Sequence, residues 1–445
     1  MNVKIFLSLF SLATAHQFKL CDKNIMGIKN VNLTPDPPVI NSDLSVELEG
    51  STDKAILSPE ILLEVSVLNI PVYHMIIDVC KTNKCPLKNN YTLNFKYHIP
   101  DKNIHSIDAD VKLTIQDNNK QISCLDVNTH IKENKLSSTS LLSKIETLFR
   151  YWLNYYNKKY SDSEYKKRLS IFVNNTKYIL ENKYNFRLGH NHMSDWTKEE
   201  YKSLLGFKNH NNINKLNNYL SHSLETNVSD SVDWRLHNAV TPIKNQGSCG
   251  SCWSFSTTGA LEGAYAIKTG KLVSFSEQEL VSCDNVDQGC NGGLMDNAFD
   301  WIHNNNGLCS EDNYPYKSGD GSKSTCASNC KNVIHSKINS HVDVEPKTSA
   351  LEIALNRQPV SIAIEADHLS FQFYRSGVYK ANCGNKLDHG VLAVGYGTLD
   401  DTDYWIVKNS WGTIWGDSGY ILIEKGSDIS GGECGILLSA SYPVL

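Results

Sequence analysis

The chain has 445 residues, enough for two or three domains with substantial cores. Its formal net charge is −5 with 20% charged residues, which excludes partners held by bulk positive charge, nucleic acid and anionic membrane surfaces among them. No stretch after the N-terminus is long and apolar enough for a membrane helix.

The N-terminus carries Lys4, then the apolar run Ile5 to Leu12, then Ala13-Thr14-Ala15. This is the pattern of a secretory signal peptide, residues 1–15, and it is too short to span a bilayer. It predicts a soluble mature protein in the secretory or endolysosomal route. That context makes the thirteen cysteines legible: an oxidising compartment pairs thiols, and an odd count leaves one over. Sequons at Asn32, Asn90, Asn174 and Asn227 agree with a glycosylated chain.

Residues 16–133 read as an all-β sandwich. Ile107 to Ile115 alternates apolar and polar without a slip, Leu44 to Glu49 does so more briefly, and Ile61 to Val79 is more continuously apolar, as in strands covered on both faces. From Leu141 to Asn182 the spacing is helical, with Leu148, Phe149, Trp152, Ile171, Phe172 and Ile179 recurring on one side. The asparagine-rich stretch Lys208 to Asn218 has no periodicity and reads as an exposed linker of the kind proteases cut. Residues 228–445 have the composition of a compact enzyme domain, rich in glycine and tryptophan.

The most informative run is Gln246-Gly247-Ser248-Cys249-Gly250-Ser251-Cys252-Trp253. It matches a signature of nucleophilic cysteines and opens a helical pattern from Ser251 to about Lys268, with Gly270 at the C-cap position. A thiol at a helix N-terminus is shifted toward thiolate by the macrodipole. Standing alone, Cys249 and Cys252 are also compatible with a disulfide or a redox pair. A thiolate nucleophile needs a base, a group to orient the base, and donors for the oxyanion. His389 and Asn409 follow Cys252 by 137 and 157 residues, near the spacing for such a base and its orienting group.

Together these residues resemble the papain-like cysteine proteases, most closely the cathepsin L-like group, over residues 145–445. The resemblance implies a two-lobed α+β domain. In it Cys252 attacks the scissile carbonyl, His389 exchanges the proton, Asn409 orients the imidazole under Trp411, and Gln246 donates to the oxyanion. It places the substrate backbone on Gly250, Gly292 and Gly293, and the S2 pocket among Leu294, Met295, Ala363, Leu387 and Ser439, with Asp388 beside them and Trp415 on the leaving-group side. An uncharged pocket implies Leu, Phe or Val at P2. No histidine-bearing insertion is evident, which favours an endopeptidase. The implied disulfides are Cys249–Cys290, Cys283–Cys326 and Cys383–Cys434, with Cys309–Cys330 as a provisional fourth. No metal or cofactor is implied.

Two further segments carry resemblances. Glu164, Arg168, Phe172, Asn175 and Ile179 fall at the spacing of the family's inhibitory pro-helix, with the final asparagine off by one at Asn182 rather than position 183, and Gly189, Asn191, Met193 and Asp195 resemble its second motif, with Met193 where Phe is usual. They make residues 141–227 an inhibitory propeptide, removed near Asn227, and the chain a zymogen whose own pro-segment is its inhibitor. Residues 16–133 resemble the ML lipid-recognition family through Cys80, Cys85-Pro86, Tyr91, Pro100, Ile115-Gln116-Asp117 and Ile122-Ser123-Cys124. That resemblance implies bridges Cys21–Cys124 and Cys80–Cys85, and a lipid or sterol between the sheets. The expected function is a secreted or lysosomal cysteine endopeptidase zymogen acting on proteins and peptides, fused to a lipid-binding module. The alternatives are a lipid-binding protein with a vestigial protease domain, and a C-x-x-C oxidoreductase.

Overall fold

The structure is a computed structural model. It describes residues 18–39, 41–99, 107–131, 140–208, 228–322, 324–327, 330–426 and 430–445. The leader residues 1–15, the Cys21 side chain, Pro100, Asn227 and most of the asparagine-rich stretch lie outside the described residues. The chain divides into two compact units, Met1–Leu169 and Ser170–Leu445.

The first unit is built on eight antiparallel strands: β1 (Phe18–Asn24), β2 (Ile28–Thr34), β3 (Ser42–Ile56), β4 (Pro59–Val67), β5 (Ile70–Asp78), β6 (Leu87–Ile99), β7 (Ile107–Asp117) and β8 (Lys120–Ile131). One sheet has the order β1-β8-β7-β4-β5 and the other β2-β3-β6. Residues of alternating parity from both sheets, among them Leu48, Ile61, Leu93, Ile115 and Leu125, meet in one apolar core. The Ile61–Val79 segment differs from its expected two-sided burial. It is a hairpin turning at Leu68-Asn69, both at positive φ, and its second strand β5 is a sheet edge with His74 and Ile76 exposed. Its apolar run reads as continuous because the turn resets the alternation between the two strands. Cys80 and Cys85 are bridged, and Cys124 is disulfide-bonded.

Two helices follow, where the sequence shows one helical stretch. Helix α1 (Leu141–Tyr155) is capped by Ser140, buries Ile145, Leu148, Phe149 and Trp152, and packs against β5. Helix α2 (Asp162–Glu181) runs into the second unit. On it Arg168 donates to Glu164 one turn earlier at 2.6 Å, while Phe172, Asn175 and Ile179 are buried. Asn182 lies just past the end of α2, its side chain donating to the Ile179 carbonyl.

In the second unit a central helix, α3 (Cys252–Thr269), faces a sheet in which strands Val360–Ile364, His389–Leu399, Thr402–Lys408 and Tyr420–Glu424 are consecutive neighbours. Helix α3 is buried from Cys252 to Ala266, so even its polar side chains, Ser256, Thr257, Thr258 and Glu262 among them, find hydrogen-bond partners inside the protein. It ends at Gly270, whose φ of 72° is the left-handed cap expected there. Beneath the helix a buried charge cluster ties the elements together. Lys408 donates to Thr241 at 2.9 Å, Thr241 donates to Glu262 on α3 at 2.6 Å, and Lys244 bridges Glu262 and Glu277 at 2.8 and 2.5 Å. Glu262 and Glu277 thereby have Lys244 as an opposite partner, without which burial of a charge is strongly unfavourable, while Lys408 reaches Glu262 through the Thr241 hydroxyl. The bridges Cys249–Cys290, Cys283–Cys326, Cys309–Cys330 and Cys383–Cys434 are all formed, and Cys252 is a free cysteine.

Candidate active site

Cys252 is the first residue of α3, and Ser251 before it makes no side-chain cap, so the first-turn amides are not claimed by that side chain. The Gly390 amide donates to the Cys252 sulfur at 3.3 Å. The residue before Gly390 is His389, which opens its strand. Its Nε2 donates to Asn409 Oδ1 at 2.8 Å, leaving Nδ1 with no hydrogen-bond partner among the described residues. Asn409 sits just after the neighbouring strand, where its Oδ1 also accepts from the Ser410 amide at 2.8 Å. Trp411 stacks on the imidazole with centroids 4.7 Å apart. Register thus places His389 and Asn409 side by side, since the strands that carry them are paired antiparallel with Leu392 opposite Lys408.

The Gln246 carboxamide is fixed at both ends. Its Oε1 accepts from Ser410 Oγ at 2.7 Å and from Trp411 Nε1 at 3.0 Å, so Nε2 must point the other way. There it donates to the Leu204 and Cys249 carbonyls at 3.0 and 2.8 Å. Gln246 is anchored further by Tyr316, whose hydroxyl donates to its carbonyl at 2.8 Å.

Leu204 belongs to the segment before the peptidase domain, and that segment lies across the site. Gly293 donates to the Gly206 carbonyl at 2.9 Å, Lys208 donates to the Gly293 carbonyl at 3.0 Å, and Phe207 donates to the Asp388 carbonyl at 2.9 Å. The bridge between Phe207 and Gly293 is parallel. Phe207 is 4% exposed and belongs to one buried apolar cluster with Met295, Ala363, Leu294 and Leu387. Ala363 in turn donates to the Ser439 carbonyl at 2.9 Å. At Gly206 the approach is backbone to backbone: a Cβ there would stand 1.8 Å from the Gly250 carbonyl oxygen. Gly292 has φ of 114°, a conformation open to glycine and strained for other residues.

Upstream, the second pro-segment motif grips the same domain. Asn191 donates to the Gln372 carbonyl at 2.6 Å, Gln372 Nε2 donates to the Met193 carbonyl at 3.2 Å, and Asn175 on α2 donates to the Ser194 carbonyl at 2.9 Å. Trp415 is fully buried, with its indole donating to the same Gln372 carbonyl at 3.1 Å and its ring edge-on to Trp411 at 5.0 Å. Tyr201 donates to the Ala366 carbonyl at 2.6 Å.

This cover sets the electrostatics. Burial pushes the Cys252 thiol up to about 11, against the amides of Gly390 and Gly206 that pull it down. Burial also lowers His389 to about 4, against the hydrogen bond to Asn409 that raises it. Burial thus opposes the expected thiolate while the pro-segment is seated, because desolvation disfavours the charged form of a fully buried thiol. Burial raises Asp388 to about 7, against the Ala366 amide that donates to its carboxylate at 2.8 Å.

Ser410, Tyr316, Gln372 and the Gly390 amide escaped the sequence reading. Ser410 stands next to Asn409 and was within reach of motif reasoning. Tyr316 and Gln372 carry no local signal, because their contacts arise only in the fold.

Residues 228–444 match the papain family cysteine protease family, 149–201 the cathepsin propeptide inhibitor domain (I29), and 15–131 the ML domain. The chain is 45% identical over 330 residues to the probable cysteine protease RD21B of Arabidopsis thaliana, covering 72% of this chain and 70% of that one. The chain belongs to the papain family of cysteine proteases. Among relatives of this papain-family endopeptidase, the KDEL-tailed cysteine endopeptidase CEP2 of Arabidopsis thaliana is 44% identical over 313 residues, covering 67% of this chain and 86% of the relative. Two solved proforms superpose on it. The ragweed pollen cysteine protease Amb a 11 in its proform has a TM-score of 0.62 at 35% identity, covering 68% of this chain and 95% of that chain. Digestive procathepsin L 3 of Tenebrio molitor has a TM-score of 0.60 at 36% identity, covering 69% and 100%. The papain-family chain is thus a cysteine protease zymogen carrying an ML domain. The redox reading of Cys249 and Cys252 is overturned, since Cys249 pairs with Cys290.

Proposed function

We propose that the mature enzyme hydrolyses peptide bonds by Cys-His-Asn catalysis, with residues 141–227 as its detachable inhibitor. The observation that carries this reading is the strip Leu204 to Lys208, hydrogen-bonded to Gln246, Gly293 and Asp388 above the Cys252 sulfur. It lies where a substrate would lie. Its direction makes it an inhibitor: its carbonyl at Gln246 comes from residue 204, and the residues beside Gly293 are C-terminal to it. In a substrate the residues on the acyl side are N-terminal to the scissile carbonyl, so this strip runs backwards and offers no productive carbonyl.

Once the strip leaves, water reaches the site and the desolvation that keeps the thiol protonated is lifted. Cys252 then passes its proton to His389 Nδ1, and the sulfur attacks the carbonyl carbon. The oxyanion takes the Gln246 Nε2 hydrogen bond that Leu204 now holds. The imidazolium, held through Nε2 by Asn409 and sheltered by Trp411, protonates the leaving amine. Water then attacks the thioester, returning its proton through His389 and releasing the acid. A hydrophobic P2 preference is supported by Phe207, which occupies the apolar cluster of Met295, Ala363, Leu294 and Leu387. A secretory or lysosomal location is supported by the leader pattern at residues 1–15 and by the disulfides. Lipid binding by the ML domain is supported by unfilled apolar space between its sheets.

The test is stoichiometric labelling with an active-site-directed epoxide after acid activation, comparing wild type with Cys252→Ala. Label should appear on the activated wild type alone. An activated wild type that takes no label sinks the reading.

A further inference from the structure

The two sheets of the N-terminal sandwich do not close along their whole length. Core residues such as Met26, Ile61, Leu93 and Ile115 fill one end. At the other end, where β2, β6 and β8 finish and β3, β5 and β7 begin, an apolar space of about 890 Å³, counted with its opening to solvent, separates the sheets. Leu33, Leu44, Val67, Tyr97 and Ile131 form much of its wall, and among the described residues no Asp, Glu, Lys, Arg or His lines it.

The wall carries three hydroxyls. Tyr73 and Tyr97 have their rings 5.1 Å apart, and burial, with the neighbouring Tyr73 adding to it, holds the Tyr97 hydroxyl well above the ordinary tyrosine range. Thr129 is different. It is 2% exposed, it lines the space, and its hydroxyl has no hydrogen-bond partner among the described residues. On β8 its wall neighbours are Val127 and Ile131, so valine would serve the same packing at this position. A buried hydroxyl with no acceptor has given up water for nothing, and proteins rarely keep one. An ionised head group brought to this wall would find no counter-charge, which disfavours it strongly.

We propose that the slot holds an uncharged lipid whose hydroxyl or carbonyl oxygen hydrogen-bonds Thr129, with its hydrocarbon body between the sheets. This rests on the lipid-binding reading of the ML domain and names the ligand class and its polar anchor. The polar end of the ligand rests on Thr129, two residues before β8 finishes, and no charged group is needed there.

The experiment uses the full-length Cys252→Ala proenzyme, which cannot process itself, with lipids delivered from cyclodextrin. Octadecanol and cholesterol are compared with stearate and with the hydrocarbon cholestane, on the parent and on Thr129→Val and Thr129→Ser. One or both hydroxyl lipids should bind at one per chain and more tightly than stearate at neutral pH, and which of the two binds identifies the body shape the slot accepts. Thr129→Val should weaken hydroxyl-lipid binding about tenfold, the loss expected for one hydrogen bond, and leave cholestane unchanged. Thr129→Ser should keep the affinity, and the ligand-free Thr129→Val protein should melt no lower than its parent. Equal binding of stearate and octadecanol, or an unchanged alcohol affinity in Thr129→Val, overturns the proposal while leaving a lipid slot standing. A uniform loss for all lipids with a lowered melting temperature overturns it too, by making Thr129 structural. If no lipid binds at all, the lipid-slot reading itself fails.

Discussion

Acid should unseat the pro-segment through His190. This side chain is fully buried in the pro-segment turn, stacked on Phe172 of α2 at 4.3 Å and edge-on to Phe373 at 6.4 Å. Its Nε2 lies 3.1 Å from Thr176 Oγ1, which itself donates to the Phe172 carbonyl, so Nε2 carries a proton. Burial lowers its pKa from 6.5 to about 3. The released pro-segment, with His190 in water, therefore binds more protons than the docked one between those two values. Docking is at full strength above pH 6.5 and weakens as pH falls, levelling off only near pH 3. At pH 4.5 the two-unit gap from the ordinary value corresponds to about 2.7 kcal/mol, roughly a hundredfold in the docking equilibrium. The assay is the rate at which the proenzyme gains peptidase activity from pH 7 to pH 4, for the parent and for His190→Phe. The variant keeps an aromatic ring against Phe172 and has nothing to titrate, so its activation should lose most of its steepness between pH 6.5 and 4.5. An unchanged pH profile in His190→Phe refutes the argument.

Other outcomes follow from the same geometry. Gly206→Ala puts a methyl into the Gly250 carbonyl oxygen, so the proenzyme should show peptidase activity at neutral pH without processing, read with a fluorogenic peptide. Gln246→Ala in the activated enzyme should lower kcat by about a hundredfold or more with little change in KM, as for loss of one oxyanion donor. Ser439→Glu should move the P2 preference from Leu or Phe toward Arg, measured by kcat/KM on matched peptides. The Cys252 thiol, held near 11 by burial, should resist iodoacetamide at pH 7 in the proenzyme and react readily once the pro-segment is removed.

The candidate catalytic residues were legible because their signals are local. Cys252 sits in a dense motif, and His389 and Asn409 each sit in a strand-end motif with glycine or tryptophan beside it. The disulfide partners came with the resemblance, including the provisional Cys309–Cys330 bridge. The plug was not legible. Leu204, Gly206 and Lys208 act almost wholly through main-chain groups, which leave no side-chain pattern to read. The charge cluster of Lys244, Glu262, Glu277 and Lys408 was also invisible, since its members are far apart in sequence and each reads as an ordinary surface charge. The hairpin β4–β5 was misread because a run of apolar residues hides the turn that breaks it. Thr129 looked like any strand threonine, and only the space in front of it makes it unusual.

The contact between Gly206 and Gly250 has a consequence for how latency is divided along the pro-segment. At that point two backbones touch with no room for a side chain, so the seal depends on the absence of atoms. Neither salt nor acid alters an absence. The stretch around His190, by contrast, is held by stacked rings and a neutral imidazole that acid charges. One end of the inhibitor is thus a fitted stopper and the other a catch that senses protons. On the His190 prediction, acidification should loosen the catch before the stopper, which would then leave with nothing upstream to press it home.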